Sequence, residues 1–264
     1  METASIALDP TALTSELSAL LGNADPTQVV LAFDGDGTLW SGDVGEDLFR
    51  AAMEEHFLLA DALPALMAEA ASYQIPLPAG ADANALARSL LAAYFAGTYP
   101  ERDTCAMMAW CYAGRTLADV EALAASALSR ADLPGRLHAE LRPIFDWSRS
   151  HGVRSVLISA SPRAVVERAA DFWGILPADV AAATPAMEAG RVLPRLAAPL
   201  PYAEGKLSAG RALFGNARWL AAFGDNVFDI DMLTTAEVGV AVRPKPKLQS
   251  ELARLGLRLL ARHP

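Results

Sequence analysis

Five apolar residues, Val29-Val30-Leu31-Ala32-Phe33, stop abruptly in Asp34-Gly35-Asp36-Gly37-Thr38. A short apolar run closed by glycine punctuation reads as a buried strand, and such strands belong to sheets covered by helices on both faces. The rest of the chain repeats the pattern. Residues 153–158, 219–223 and 238–242 read as strands, the last of these closing the series, and residues 141–150, 163–173 and 206–214 read as helices. Residues 180–196 read as a short hairpin turning at Ala189-Gly190. Ahead of the first strand, Asp9-Pro10 reads as an N-cap with proline at N1. It opens a leader helix, within residues 9–22, through Leu13, Leu17, Leu20 and Leu21 to a stop at Gly22. Strands alternating with helices predict an α/β fold with a doubly wound parallel sheet.

One stretch breaks the alternation. Residues 45–136 are rich in Ala and Leu at helical spacing, as in Leu48, Ala51, Ala52 and in Leu117, Val120, Leu123, Ala124, with loops at 75–81 and 97–100. The predicted organisation is an α/β core of residues 1–44 and 137–264 with a helical domain, 45–136, inserted after the first strand. With 53% hydrophobic residues, a well-buried core is available and extended disorder is excluded. The net charge of −9 speaks against a nucleic-acid partner, whose binders present basic stripes. A small anionic substrate is compatible with it, because a bound cation reverses the local potential. Cys105 and Cys111 match neither a redox motif nor a zinc site and read as buried thiols. The opening residues lack the pattern of a secretory signal, and no apolar run reaches membrane-spanning length, so a soluble, cytoplasmic protein without a membrane partner is expected. His56, His138, His151 and His263 show no ligand spacing and receive no role.

In open α/β sheets the carboxyl ends of the strands face the ligand crevice. Three proposed strands end there in polar clusters: Asp34 to Thr38, Ser159-Ala160-Ser161, and Gly224-Asp225 to Asp231, with Lys206 starting a helix between the last two. Carboxylates, a hydroxyl and a lysine suit metal-assisted phosphoryl transfer, which needs a nucleophile, neutralised phosphoryl charge and a proton for the leaving oxygen. Asp34 and Asp225 would hold Mg²⁺ as a hard-oxygen cluster, and Lys206 and Ser159 would hold the phosphoryl oxygens. Each piece alone has a plainer reading. Asp34 to Thr38 is also a turn, but not a calcium loop, since Leu39 and Gly45 occupy its glycine and glutamate positions. Lys206 is also a solvated lysine, and not a Walker A one, since Leu200 replaces the first glycine. Ser159 sits in no Gly-x-Ser-x-Gly elbow, and Asp225 with Asp229 is also an acidic loop.

Together, in this order, the clusters resemble the haloacid dehalogenase superfamily. Asp34-Gly35-Asp36-Gly37-Thr38 is similar to its first motif, DxDxT, Val156-Leu157-Ile158-Ser159 to its second, Lys206 to its third and Gly224-Asp225-Asn226-Val227-Phe228-Asp229 to its fourth. Ser159-Ala160-Ser161-Pro162, Gly190-Arg191-Val192 and Tyr202-Ala203-Glu204-Gly205-Lys206 resemble the phosphoserine-phosphatase-like branch. The resemblance implies a Rossmann-like core, a C1-type cap over residues 45–136, and a Mg²⁺-dependent phosphomonoesterase acting on a small soluble phosphate ester. It implies Asp34 as nucleophile forming an aspartyl-phosphate and Asp36 as acid/base. Thr38, Ser159, Ala160 and Lys206 would contact phosphate. Asp34, the Asp36 carbonyl and Asp225 would hold the metal, with Asp229 in support. The second Asp disfavours dehalogenation. Alternatives on the same scaffold are a phosphotransferase or mutase, and a catalytically silent binding protein.

The resemblance also bears on substrate. Asp43 stands where phosphoserine phosphatases carry a Glu for the amino group, while Met108 and Phe228 stand at an Arg and an Asn of that family. An acid without the carboxylate clamp points to an amino or quaternary-ammonium alcohol phosphate, phosphoethanolamine- or phosphocholine-like. Asp43 is equally a helix cap at Val44. Trp40, Trp110 and Tyr112 are candidates for the wall of a cation pocket, although aromatics at such spacing more often serve as cap core.

Overall fold

The protein is described as a computed structural model covering residues 7–262, so His263 lies outside the described residues. Helix α1 (Pro10–Leu21) is capped by the Asp9 side chain, and β1 (Val29–Phe33) follows it. Six helices come next: α2 (Val44–Glu54), α3 (Leu63–Ser72), α4 (Ala83–Phe95), α5 (Glu101–Trp110), α6 (Leu117–Arg130) and the single turn α7 (Leu133–Arg136). The α/β alternation then resumes with α8 (Arg142–His151), β2 (Arg154–Pro162), α9 (Arg163–Ala170) and β3 (Val180–Ala183). A hairpin of β4 (Pro185–Glu188) and β5 (Arg191–Leu196) leads to α10 (Gly205–Phe214) and β6 (Arg218–Gly224). The chain closes with α11 (Ile230–Thr235), β7 (Val238–Ala241), the short helices α12 (Pro246–Gln249) and α13 (Leu252–Leu255), and β8 (Arg258–Leu259).

The main sheet is parallel, in the order β3-β2-β1-β6-β7-β8. Strand β1 is buried throughout because it is central and covered on both faces. Its alternate residues serve different cores: Val29, Leu31 and Phe33 enter the larger one, Val30 and Ala32 the smaller. The Phe33 ring stacks between those of Phe145 and Phe223, with centroids 4.6 and 4.4 Å away. Truncating it to Ala would cost about 3–5 kcal/mol. Proceeding from β1, the chain steps to β2 and β3 on one side, then returns to β6 and beyond on the other. That reversal opens a crevice at the carboxyl ends of β1 and β6.

Two sequence expectations need correction. Val180–Ala183 does not pair with the following strand. It joins β2 as the parallel edge of the main sheet, and the hairpin turning at Ala189-Gly190 begins only at Pro185. Nor is β7 the last strand, since the two-residue β8 pairs with it in parallel. The helices between β1 and β2 pack back on the core: α5 lies against β2 and β5, and α6 against α9. Among the described residues, no helix is long and apolar enough to cross a membrane.

Candidate active site

Asp34 is placed by the sheet itself. Its backbone N–H donates to the Phe223 carbonyl at 2.9 Å, extending the β1–β6 ladder by one residue. One carboxylate oxygen then accepts from Lys206 Nζ at 2.6 Å and the other from the Thr38 hydroxyl at 3.1 Å. Lys206 sits in the first turn of α10, buried, and also donates to Asp229. Burial pushes the Asp34 carboxyl up, and the lysine charge works against that push. The two carboxylates raise the Lys206 pKa despite its burial, so the ammonium stays charged.

The loop after β6 is pinned from within. Asp229 accepts from the backbone N–H groups of Asp225 and Asn226, at 3.1 and 2.9 Å. Gly224 is required there, because a Cβ on it would come within 2.6 Å of Asp229. Asp225 faces the Asp34 loop across Gly37, whose φ is +84° and whose added Cβ would meet Asp225 Oδ2 at 2.2 Å. Only glycine permits both that backbone and that approach. Burial, together with Asp34 and Asp229, raises the Asp225 carboxyl. Its positive neighbour is Lys245 Nζ at 3.4 Å, on a side chain 56% exposed and therefore well screened.

These groups form a hard-oxygen donor set. One oxygen each from Asp34, Asp225 and Asp229 lie within 4.8 Å of one another. Asp229 is spent on Lys206 and two N–H groups, so Asp34 and Asp225 are the pair with capacity left for a cation. Carboxylates raised by burial first and by neighbouring carboxylates second suit a divalent metal, whose charge would hold them ionised.

Asp36 is held differently. One of its oxygens accepts from the Trp40 indole N–H and from the Val44 N–H, both at 2.8 Å, and the other accepts from the Ser161 hydroxyl at 2.6 Å. Burial first, then Asp43, pushes its pKa up to about 7, a value suited to proton transfer near neutrality. Asp43 is the N-cap of α2, accepting from Glu46 N–H at 2.8 Å, and it also lines the cleft, with its pKa raised to about 6 by burial. The cap reading and the site position therefore hold together.

One cleft collects Asp34, Asp36, Asp43, Ser159, Ala160, Lys206, Asp225 and Asp229. Thr38 is buried behind Asp34. Met108 lines an adjoining chamber with Asp43, Glu46, Tyr94, Glu101 and Cys105. The structure does not bring the proposed aromatic wall together. Trp40 is fully buried and contributes its N–H rather than a ring face, and Trp110 is buried in the core. Tyr112 lines a separate apolar cavity with Leu117, Val120 and Met187. The aromatics that do reach the site are Tyr94, Tyr202 and Phe228, the last two in ring contact at 4.6 Å. Sequence reasoning also assigned no role to Ser161, Glu101, Cys105, Asn226 or Lys245, which line the cleft. Ser161 had a signal, its place in the polar cluster at the end of β2; Glu101 and Lys245 had none. His138 braces the first loop from behind, with Nδ1 2.8 Å from the Thr38 carbonyl and Nε2 2.9 Å from the Ser41 hydroxyl.

The family model for haloacid dehalogenase-like hydrolases matches residues 31–234. Among solved structures, the fold is similar to that of a protein with unknown function from Bordetella pertussis Tohama I, at 20% identity and a TM-score of 0.65, covering 88% of this chain and 98% of that one. It is similar to a conserved functionally unknown protein from Anaerococcus prevotii DSM 20548, at 15% identity and a TM-score of 0.67, covering 98% and 94%. It is also similar to a substrate-bound phosphoserine phosphatase, at 14% identity and a TM-score of 0.51, covering 88% and 91%. At these identities the likeness is one of fold. No curated protein matches the chain.

Proposed function

Because the chain belongs to the haloacid dehalogenase-like hydrolase family, we propose that it is a Mg²⁺-dependent phosphomonoesterase working through an aspartyl-phosphate on Asp34. The observation that carries this reading is the pairing of two unlike carboxyls in one cleft. Asp34 is tied to Lys206 beside Asp225, while Asp36 is turned onto neutral donors. Asp34 is thereby kept as a nucleophile and Asp36 as a proton carrier.

Asp34, the Asp36 carbonyl and Asp225 would hold Mg²⁺, which supplies charge neutralisation at the phosphoryl oxygens and the nucleophile. Lys206 and Ser159 would hold those oxygens from the other side. An Asp34 oxygen bonds to phosphorus as the bond to the leaving oxygen breaks, and Asp36 gives that oxygen its proton. Water then attacks the aspartyl-phosphate, losing a proton to Asp36, and phosphate leaves with Asp34 restored. The helical segment 45–136 serves in this reading as a cap, since it contributes Glu101 and Cys105 to the cleft and would exclude water from it.

The leaving group would extend into the chamber of Asp43, Glu46 and Glu101. Burial raises all three carboxyls. The cations lining cleft and chamber are Lys206 and Lys245, both beside the metal-site carboxylates. An ammonium group would relieve this crowding, whereas a second carboxylate would worsen it. This favours an amino or quaternary-ammonium alcohol phosphate over phosphoserine. A phosphate-release screen over phosphoethanolamine, phosphocholine, phosphoserine and sugar phosphates, with and without Mg²⁺, tests both levels. Asp34→Asn should abolish release from every ester while the fold persists. Wild-type turnover in that variant would sink the mechanism, equal turnover of all four classes would sink the substrate assignment, and substrate loss exceeding phosphate release would indicate transfer to another alcohol.

A further inference from the structure

We propose that Ser161 is the positioning residue of the acid/base step, its hydroxyl fixing Asp36 Oδ2 as the oxygen that gives and takes the proton. The inference rests on the phosphatase reading above and adds to it which atom moves the proton and what holds that atom.

The two oxygens of Asp36 are in unlike settings. Oδ1 accepts from two N–H groups, the Trp40 indole and the Val44 backbone, each at 2.8 Å. Neither donor can reverse its role, because an amide or indole N–H offers no lone pair in the plane of the bond. A proton placed on Oδ1 would displace one of them and leave a buried donor without a partner. Oδ2 meets the Ser161 hydroxyl at 2.6 Å. A hydroxyl is both donor and acceptor, and its hydrogen rotates to suit. It can donate to the Asp36 carboxylate and, after rotation, accept from the Asp36 acid. Of the two oxygens, therefore, only Oδ2 can change protonation without breaking the frame around it.

That frame is built from two elements. Ser161 lies at the end of β2, its backbone N–H donating to the Ser159 hydroxyl at 3.1 Å. On the opposite side, Val44 opens α2, and the next residue, Gly45, lies so close that an added Cβ would meet Ser161 Oγ at 3.0 Å. The serine side chain is confined between them and is itself only 6% exposed. Trp40 is fully buried beneath the turn and cannot follow a wandering carboxyl. Asp36 thus pivots on a fixed Oδ1, with Ser161 setting the direction of Oδ2 into the cleft that both residues line with Asp34.

The steps balance on this assignment. An Asp34 oxygen forms a bond to phosphorus while the phosphorus–leaving-oxygen bond breaks. Its electron pair stays on the leaving oxygen, which takes the Oδ2 proton, and Ser161 then donates to the new carboxylate. In the second step a water oxygen bonds to phosphorus and one of its protons passes to Oδ2. The Asp34–phosphorus bond breaks with its electrons returning to Asp34. Ester and water have become alcohol and phosphate.

The test uses the full chain as Ser161→Ala and Ser161→Thr, with two substrates: the best alkyl phosphate of the wild type, and p-nitrophenyl phosphate, whose leaving group needs little protonation. The value of kcat/KM reports the chain only through release of the alcohol or phenol, so slow hydrolysis of the intermediate does not blur it. Acid/base help is worth about 10²–10⁴-fold, and loss of its positioning should cost a part of that. Ser161→Ala should lower the alkyl-to-aryl ratio of kcat/KM by about tenfold or more, and Ser161→Thr, which keeps the hydroxyl, should recover most of it. Equal losses on both substrates would show a merely structural serine and overturn the proposal, as would an unchanged ratio or a Thr variant no better than Ala. Thermal melts of both variants, expected within a few degrees of wild type, guard against misfolding. Should the wild type release phosphate from no ester at all, the phosphatase reading itself falls, an outcome distinct from any change of ratio.

Discussion

Replacing Asp36 by Asn should stabilise the protein at pH 8 while disabling it. The amide matches the hydrogen-bond frame: its oxygen can accept from Trp40 and Val44, and its NH₂ can donate to the Ser161 hydroxyl. What the substitution removes is a charge that burial disfavours, since the Asp36 carboxyl is raised from 3.8 to about 7. At about 1.36 kcal/mol per pKa unit, that displacement amounts to roughly 4 kcal/mol for the ionised form. Asp36 is part-exposed at the cleft wall, so solvent screening halves the expected gain to about 2 kcal/mol. For a chain of this size the gain corresponds to a Tm rise of about 4–8 °C. The sign follows from linkage. Between the unfolded value near 4 and the folded value near 7, the native state binds the extra proton, so wild-type stability falls as pH rises through that window. The neutral Asn variant lacks that dependence. The gap between the two should therefore be near zero at pH 4, open through pH 7 and level off by pH 8. Urea titrations at pH 4, 6 and 8 without divalent cations measure it. An Asn variant less stable at pH 8, or a gap independent of pH, would refute the reasoning.

The remaining predictions concern the charges around Asp34. Lys206→Met removes the cation shared by Asp34 and Asp229, leaving buried carboxylates unpaired, and should cost about 3–5 kcal/mol in urea unfolding; unchanged stability would show that the ion pairs carry no weight. Mg²⁺ at a hundredfold its Kd should stabilise the wild type by about 2.7 kcal/mol, a shift reversed by EDTA and readable calorimetrically. Gly37→Ala should erase that shift, because its Cβ would displace the Asp225 carboxylate; a shift of full size in the variant would place the metal elsewhere.

What the sequence revealed depended on how local the signal was. Asp34, Gly37 and Thr38 are legible because strand, turn and hydroxyl fall within five residues, and the backbone turn alone requires the glycine. Asp225 and Asp229 belong to one self-pinned loop for the same reason. Ser161 was visible as a polar residue at a strand end, yet its partner Asp36, at the end of the neighbouring strand, is 125 residues away in sequence, and no periodicity connects them. Trp40 was misjudged because residue type suggests a ring face, while its contribution is one N–H directed at Asp36. Trp110 and Tyr112 fell to the ordinary fate of large aromatics, the core. Glu101 and Lys245 stood in no motif; tertiary folding alone brings both to the cleft. The edge strand β3 reads into the hairpin because Val-Ala-Ala-Ala carries little alternation, and its true partner β2 lies on the far side of α9 rather than across a tight turn.

The charge arrangement also explains why such a site tolerates its own cost. Lys206 is one cation among three clustered carboxylates, and it is committed to Asp34 and Asp229. Asp225 is left with a screened lysine at 3.4 Å, too little to offset burial and the charges of Asp34 and Asp229, which raise its carboxyl. A further internal lysine would settle the charge balance, but it would fill the position that the proposed divalent ion needs. Meanwhile Asp36, only two residues from Asp34, avoids the cluster because Trp40, Val44 and Ser161 turn its carboxyl onto neutral partners. Two acids of one short loop thus sit in unlike settings, which the proposed mechanism uses for different duties, one toward a cation and one toward a proton. The division comes from what each side chain touches, since their intrinsic chemistry is the same.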